Sequence, residues 1–88
     1  MTADELVDAL KVACALRELK LCKYVAMDSN GVWYTYADKP STWDGGTAWG
    51  GYGECRVLGR LVNVDCGRPW DKSLVDMEEH RYVEGQSD

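Results

Sequence analysis

The chain has 88 residues, a length that fits one small domain with a thin margin of stability. Its hydrophobic fraction of 45% is sufficient for a folded core and excludes a wholly disordered chain. The net charge of −5, with no cluster of lysine and arginine apart from Arg56, Arg60 and Arg68, argues against direct binding of nucleic acid. No stretch is long and apolar enough for a membrane span, so we expect no membrane association.

The first predicted element is an N-terminal helix over residues 3–20. Thr2 and Glu5 have the spacing of a capping box, in which each side chain accepts from the backbone amide of the other residue. Apolar residues then share one arc of the helical wheel, with charged residues opposite, so the helix should lie on a core by one face. The arc contains Leu6, Val7, Leu10, Ala13, Cys14 and Leu21.

The same arc leaves a second arrangement open, a homodimer in which the helix pairs with its copy through Leu6, Leu10 and Cys14. Arg17 also falls inside the arc, where its head group needs water or an acidic partner.

A β-hairpin is predicted over residues 22–37, because Asn30-Gly31 separates two segments rich in β-forming residues. A two-residue turn would pair Met27 with Tyr34 and Val25 with Tyr36. One face would then carry Val25, Met27, Tyr34 and Tyr36, and the other Tyr24, Ala26, Trp33 and Thr35. Trp33 would lie on the half-exposed face, as a packing residue or as a contact residue for a partner.

Residues 38–53 form a predicted loop that combines glycines with three large aromatic residues, Trp43, Trp49 and Tyr52. A phosphate-binding loop would need a lysine after the glycines and a following helix, and both are missing here. Two interpretations remain open: the rings fold back onto the sheet, or they contact a partner.

A strand region follows over residues 54–66, with Gly59 as a bulge or bend, and then a closing segment over 70–77. Residues 79–88 are predicted to be a flexible acidic tail. The expected fold is therefore α+β, a single domain over residues 1–78 in which one N-terminal helix packs on a small antiparallel sheet of three to four strands.

The N-terminus lacks the pattern of an export signal, so we expect a cytoplasmic location. Because that compartment is reducing, the four cysteines are expected to be thiols. Their spacings match no zinc site, and "DSNG" is explained as a turn and not as a calcium loop. We therefore predict no metal and no cofactor. His80, the one histidine of the sequence, falls in the acidic tail, and no catalytic set is recognisable, so we predict that the protein is not an enzyme.

The stretch "YVAMDSNGVWYTYADKP" and the later "PWDKSL" carry a resemblance. Together they resemble a group of small bacteriophage accessory proteins with a (I/V)-A-x-D-x-x-G-x-x-x-x-(Y/F)-x-x-x-P hairpin and a closing W-x-x-S-L. The matching positions are Val25, Ala26, Asp28, Gly31, Tyr36, Pro40, Trp70, Ser73 and Leu74. The long N-terminal helix departs from that pattern. The resemblance implies a phage origin, and through it an inhibitor of host immunity such as an anti-CRISPR protein, but it assigns no site residue.

The leading functional prediction is a phage-encoded, non-enzymatic inhibitor that binds a host protein, such as a CRISPR-Cas component, in the host cytoplasm. Interface hot spots are rich in Trp, Tyr and Arg. The predicted contact residues are Trp33, Trp43, Trp49, Tyr52 and Arg56. One alternative is a protein that sequesters a nucleotide signal, with stacked rings and a phosphate held by Arg56, Arg60 or Arg68. The other is the helix-mediated structural or regulatory homodimer.

Overall fold

A computed structural model describes residues 2–18, 22–42, 46, 48–50, 53–62 and 64–83. It contains one α-helix, α1 (Ala3–Leu16), and a short 3-10 helix, Trp70–Lys72. The strands are β1 (Tyr24–Met27), β2 (Trp33–Tyr36), β3 (Ser41–Thr42), β4 (Trp49–Gly50), β5 (Cys55–Gly59), β6 (Val75–Asp76) and β7 (Arg81–Tyr82). Strands β5-β2-β1-β6-β7 form an antiparallel sheet in that order, and β3 pairs with β4 in a separate two-stranded sheet.

The α+β class is confirmed, and the sheet has five strands where three to four were predicted. The additional strands are short ones in the closing segment and in the predicted tail, where two-residue strands leave almost no periodic signal. Within the described ranges, no helix has the length and hydropathy needed to cross a membrane.

Helix α1 begins as predicted and ends earlier than predicted. The Glu5 amide donates to Thr2 Oγ1 and the Thr2 amide donates to Glu5 Oε2, both over 3.2 Å, which completes the capping box. The helix ends at Leu16, and Glu18 has a φ of 55°, a left-handed conformation that a helix cannot continue through. Residues 19–20 of the predicted helix lie outside the described residues.

The hairpin turn has three residues and not the predicted two. The Gly31 amide donates to the Asp28 carbonyl and the Asp28 amide donates to the Val32 carbonyl, both over 2.9 Å. Gly31 has a φ of 85°, while Asn30 is not among the residues with positive φ. This is a type I turn followed by a left-handed glycine, the usual three-residue hairpin loop.

The longer turn shifts the strand register by one residue, so the predicted pairs are wrong. Met27 pairs with Trp33 and Val25 pairs with Thr35. Because side chains alternate along a strand, a shift of one residue exchanges the faces of one strand relative to the other. Val25 and Trp33 share the inner core, whereas Tyr36 shares the outer cluster with Ala26.

Each face of the sheet is covered by a different part of the chain. The inner face packs against the apolar arc of α1, and its core contains Leu6, Val7, Leu10, Cys14, Val25, Trp33, Leu58, Cys66, Val75 and Met77. The outer face carries a smaller cluster of Ala26, Tyr36, Trp49 and Leu74, with Tyr24, Tyr34, Trp70 and Val83 packed around it. A chain of this length therefore divides its apolar residues between two small cores.

Two cysteines are bonded, which corrects the prediction of four thiols. Cys14 and Cys22 form a disulfide with their Cα atoms 6.8 Å apart, while Cys55 and Cys66 are free. Because α1 ends early, at Leu16, Cys22, two residues before β1, bonds to Cys14 in the last turn of the helix. A helix continuing to residue 20 would have carried Cys22 away from Cys14.

Residues 79–83 form a turn and a strand where a flexible tail was predicted. Asp76 Oδ1 accepts from the amides of Glu78 and Glu79, and these bonds turn the chain back along β6. Strand β7 then pairs with β6, and the Val83 amide donates to the Leu74 carbonyl over 2.9 Å. Residues 84–88 of the predicted tail lie outside the described residues.

Candidate functional site

Trp49, one of the predicted contact residues, is a packing residue of the outer face. Its side chain is 6% exposed, and its indole Nε1–H lies 3.1 Å from the Met27 carbonyl and 3.0 Å from the Trp70 carbonyl. Its backbone amide donates to Asp28 Oδ1 over 3.0 Å. Trp49 therefore holds β4 against the hairpin and the 3-10 helix, and its burial does not favour the predicted contact with a partner, which stays a prediction.

Trp33 is also inside the protein, on the opposite face of the sheet. It is 1% exposed and belongs to the core beneath α1. The prediction that Trp33 is half exposed is wrong because it depended on the mispredicted hairpin register. In the observed pairing, this ring faces the helix. Of the two interpretations left open for Trp33, packing is the one that the structure shows.

The remaining predicted contact residues are not brought together by the described part of the chain. Arg56 is exposed on β5, at one edge of the sheet. Trp43 and Tyr52 lie outside the described residues. The homodimer through Leu6, Leu10 and Cys14 stays a prediction that the structure does not favour, because all three side chains are buried against this protein's own sheet.

A groove of about 610 Å³ lies at the opposite edge of the sheet, next to β7. This volume is in the range of pockets that hold small molecules. The lining residues that matter for its chemistry are Tyr24, Lys39, Arg68, Asp76, Arg81 and Tyr82. We define these six residues as the β7 groove.

The strand register places part of this lining in one row across the sheet. Tyr24 of β1 lies opposite Asp76 of β6, and Asp76 lies opposite Arg81 of β7. Since directly paired residues of antiparallel strands project to the same face, a ring, a carboxylate and a guanidinium are neighbours there.

Arg68 and Tyr82 form the second part of the groove, on the other side of the edge strand, because Tyr82 pairs with Val75 and projects to the face opposite Arg81. The guanidinium carbon of Arg68 lies 3.8 Å from the centre of the Tyr82 ring, a cation–π contact. A tight turn positions Arg68, because the Gly67 amide donates to Asp65 Oδ1 over 2.9 Å and Gly67 has a φ of 66°. The Tyr82 hydroxyl donates to the Cys66 carbonyl over 3.0 Å, which fixes the ring beneath the guanidinium.

The two phenols of the groove remain neutral at physiological pH. Burial is the first cause that raises the pKa of Tyr82, with further raising contributions from Cys66 and Asp65 and an opposing one from Arg68. Burial also comes first for Tyr24, whose pKa is raised further by nearby carboxylates, Asp76 foremost. Both rings therefore act as uncharged stacking surfaces and hydrogen-bonding groups.

Some charged groups of the groove already have an ion-pair or hydrogen-bond partner within the protein, and others have none among the described residues. Arg81 pairs with Glu79, and Asp76 uses Oδ1 to hold the turn after β6. Among the residues that the structure describes, Lys39 and Arg68 form no ion pair. Lys39 and Arg68 are thus available to bind an anion in the groove. Asp76, whose Oδ1 already accepts two hydrogen bonds, lies beside them.

Sequence reasoning found Arg68, as one of three possible phosphate contacts, and missed the rest of the groove. Tyr24, Lys39, Arg68 and Tyr82 are far apart in sequence and meet only because the chain returns as β7. The alternation in Arg81-Tyr82-Val83 was the available signal for that strand, and the surrounding acidic residues obscured it.

No group of three or more potential metal ligands occurs in the described ranges. Comparison of the chain with known protein families, with curated proteins and with solved structures yields no match.

Proposed function

We propose that this protein is a non-enzymatic binding protein whose β7 groove sequesters a small ligand with a planar ring and a phosphate, as in a nucleotide. The observation that carries the proposal is the Arg68 guanidinium held over the Tyr82 ring in a groove that also contains Lys39 and Tyr24. Arginine recognises phosphate with charge-assisted hydrogen bonds, and aromatic side chains stack on nucleobases.

Four groups of the groove contact the ligand in this proposal. Lys39 and Arg68 bind the phosphate, and the half-buried Tyr24 supplies a ring surface for the base. Asp76 accepts a hydrogen bond from an amino group of the base, as carboxylates do from cytosine. A neighbouring depression of about 250 Å³ shares Tyr24, Lys39 and Asp76, so a ligand can extend past Tyr24.

The charge balance of the groove favours one phosphate over three. Two uncommitted cations match a monophosphate or a cyclic mononucleotide, whereas Asp76 and Glu79 also line the groove and repel additional phosphate groups. The expected ligand class is therefore a nucleoside monophosphate or a cyclic mononucleotide, and a nucleoside triphosphate should bind more weakly.

Calorimetry with a panel of nucleoside monophosphates, cyclic mononucleotides and triphosphates tests this function. We expect saturable heat with at least one monophosphate or cyclic ligand, and a roughly tenfold to hundredfold loss of affinity in Arg68→Gln. Arg60→Gln is the matched control, because Arg60 is exposed and does not line the groove. Absence of heat with every ligand, or an equal loss in both variants, would contradict the proposal.

The phage-encoded inhibitor of a host defence protein, acting in the host cytoplasm, stays a second prediction. The hairpin and W-x-x-S-L resemblance supports its origin, and the exposed Arg56 on an open sheet edge supports protein contact. Affinity-tagged protein expressed in the natural host should retain one host protein in the wild type and lose it in Arg56→Glu. Equal retention by both forms would remove Arg56 from the contact surface.

A further inference from the structure

Strand β5 is the longest strand of the five-stranded sheet and forms one of its two edges. It covers Cys55–Gly59 and pairs only with β2 among the described residues, whereas the other edge strand, β7, covers only Arg81–Tyr82. Natural proteins usually shorten, charge or cover their edge strands, because an open edge can pair with another chain. A bulge at Leu58 interrupts the pairing with β2 between Val57 and Gly59, and residues 55–57 before it are exposed.

The hydrogen-bond pattern shows which backbone groups of β5 face outward. The Ala37 amide donates to the Glu54 carbonyl over 3.1 Å, and Arg56 lies opposite Thr35. Since alternate residues of an antiparallel ladder direct their amides and carbonyls to opposite sides, Cys55 and Val57 direct theirs away from the sheet. The Val57 side chain is 51% exposed, which adds an apolar contact at the centre of this edge.

Positive charge is concentrated toward the Gly59 end of this edge, in a protein whose net charge is −5, whereas Asp38 and Glu54 lie at its start. Arg56 is exposed on β5, and Arg60 is exposed directly after it. The Arg17 guanidinium approaches from the end of α1, with Nη2 3.6 Å from the position that a β carbon would take at Gly59. Within the described ranges, none of these three arginines forms an ion pair.

We propose that the β5 edge docks an extended acidic segment of a partner protein, which pairs with Cys55 and Val57 as a sixth strand. Backbone pairing supplies affinity, and the three arginines select carboxylate side chains on the added strand. A second peptide strand uses the outward amides and carbonyls, whereas a nucleic acid would use only the charges. The proposal is independent of the β7 groove, which lies at the other end of the sheet.

A peptide of alternating glutamate and valine residues is the probe, with a lysine–valine peptide of the same length for comparison. Backbone NMR and amide hydrogen exchange on the full chain report the site. We expect slower exchange at the amides of Cys55 and Val57 with the acidic peptide, and binding about tenfold weaker for the lysine peptide.

Val57→Pro distinguishes strand pairing from simple charge attraction. Proline at this position removes an outward amide and no hydrogen bond to β2, so the fold should persist while pairing is lost. Val57→Thr, which keeps the amide, is the matched control and should bind normally. Should Val57→Pro disturb the fold, Arg56→Glu provides the second test, with loss of the acidic peptide expected.

Three results would overturn the proposal. The first is unchanged exchange at Cys55 and Val57 when the acidic peptide is saturating. The second is equal binding of the acidic peptide by the Val57→Pro and Val57→Thr variants. The third is a single-stranded oligonucleotide that binds this surface better than the acidic peptide and is released by the Arg56→Glu change.

Discussion

Thr35 places a hydroxyl group in the core beneath α1, where the residue is 0% exposed. Among the described residues, no group forms a hydrogen bond with Thr35 Oγ1. A buried hydroxyl without a partner loses its hydration and gains nothing in return. The wild-type sequence therefore keeps a destabilising atom at the centre of β2.

Replacing Thr35 with valine should increase the free energy of unfolding by about 1 kcal/mol, because the methyl group removes the desolvation cost. Chemical denaturation measures this change. Thr42→Val, on the partly exposed β3, is the control and should have little effect. A loss of stability in Thr35→Val would show that the hydroxyl has a stabilising contact.

Tyr36 makes the fold sensitive to alkaline pH. Its pKa is raised, first by burial and then by Asp28, Cys55 and Tyr34. Because the folded state binds the phenol proton more tightly than the unfolded state, whose pKa is 10.0, this group contributes its full stabilisation below pH 10.0. The contribution decreases as the pH rises above that value.

We therefore expect a loss of stability that begins near pH 10, the ordinary pKa of tyrosine. In an alkaline titration, the absorbance of tyrosinate at Tyr36 should increase only with unfolding. Tyr36→Phe should reduce the slope of stability against pH in this range. An unchanged slope in Tyr36→Phe would assign the alkaline sensitivity to other groups.

At the scale of elements, the outer face depends on one network that joins three segments. Asp28 accepts from the Trp49 amide, and the Trp49 indole reaches the Met27 and Trp70 carbonyls. The Ser73 hydroxyl accepts from the Met27 amide over 2.9 Å and donates to the Trp70 carbonyl over 2.6 Å. Asp28, Trp70 and Ser73 all belong to the hairpin and W-x-x-S-L motifs described in the sequence. These motif residues therefore stabilise the fold.

Trp49→Ala should destabilise the protein by about 3–5 kcal/mol, the usual cost of removing a buried tryptophan. Trp49→Phe keeps most of the apolar contact and loses the indole hydrogen bonds, so about 1–2 kcal/mol is expected. Thermal unfolding of both variants gives the order of the effects. Wild-type stability in the Trp49→Ala variant would contradict the packing role of this side chain and favour a contact with a partner.

The disulfide connects the last turn of α1 to the start of β1. Cys14 and Cys22 are eight positions apart, so the bond closes a short loop, and its loss should lower stability by roughly 2–3 kcal/mol. Denaturation with and without a reducing agent measures this loss. The double variant Cys14→Ala/Cys22→Ala should reproduce the reduced form, whereas Cys55→Ala should not respond differently from the wild type.

At the scale of the whole molecule, local signals predicted the elements that depend on local interactions. The capping box of Thr2 and Glu5 predicted the start of α1, and Asn30-Gly31 predicted the position of the hairpin. The register was mispredicted because two- and three-residue turns share the same glycine signal and differ by one residue in the loop. That additional loop residue decides whether Trp33 faces the core or the solvent.

Features that depend on contacts between distant parts of the chain could not be predicted from local sequence patterns. Trp49 is buried because Met27 and Trp70 supply carbonyls from distant parts of the chain, and the stretch around it is as compatible with an exposed loop. The β7 groove is assembled from separate segments in the same way. Neither its cations nor its rings form a motif in sequence order, so only the folded chain brings them together.

We propose that the β7 groove binds a planar ligand with one phosphate. The most direct measurement is a backbone NMR titration with the nucleoside monophosphate that gives the largest calorimetric signal. We predict saturable shifts at the amides of Tyr24, Lys39, Arg68 and Tyr82, and their loss in Arg68→Gln. Shifts confined to other parts of the chain, or shifts in the groove that persist in Arg68→Gln, would contradict it.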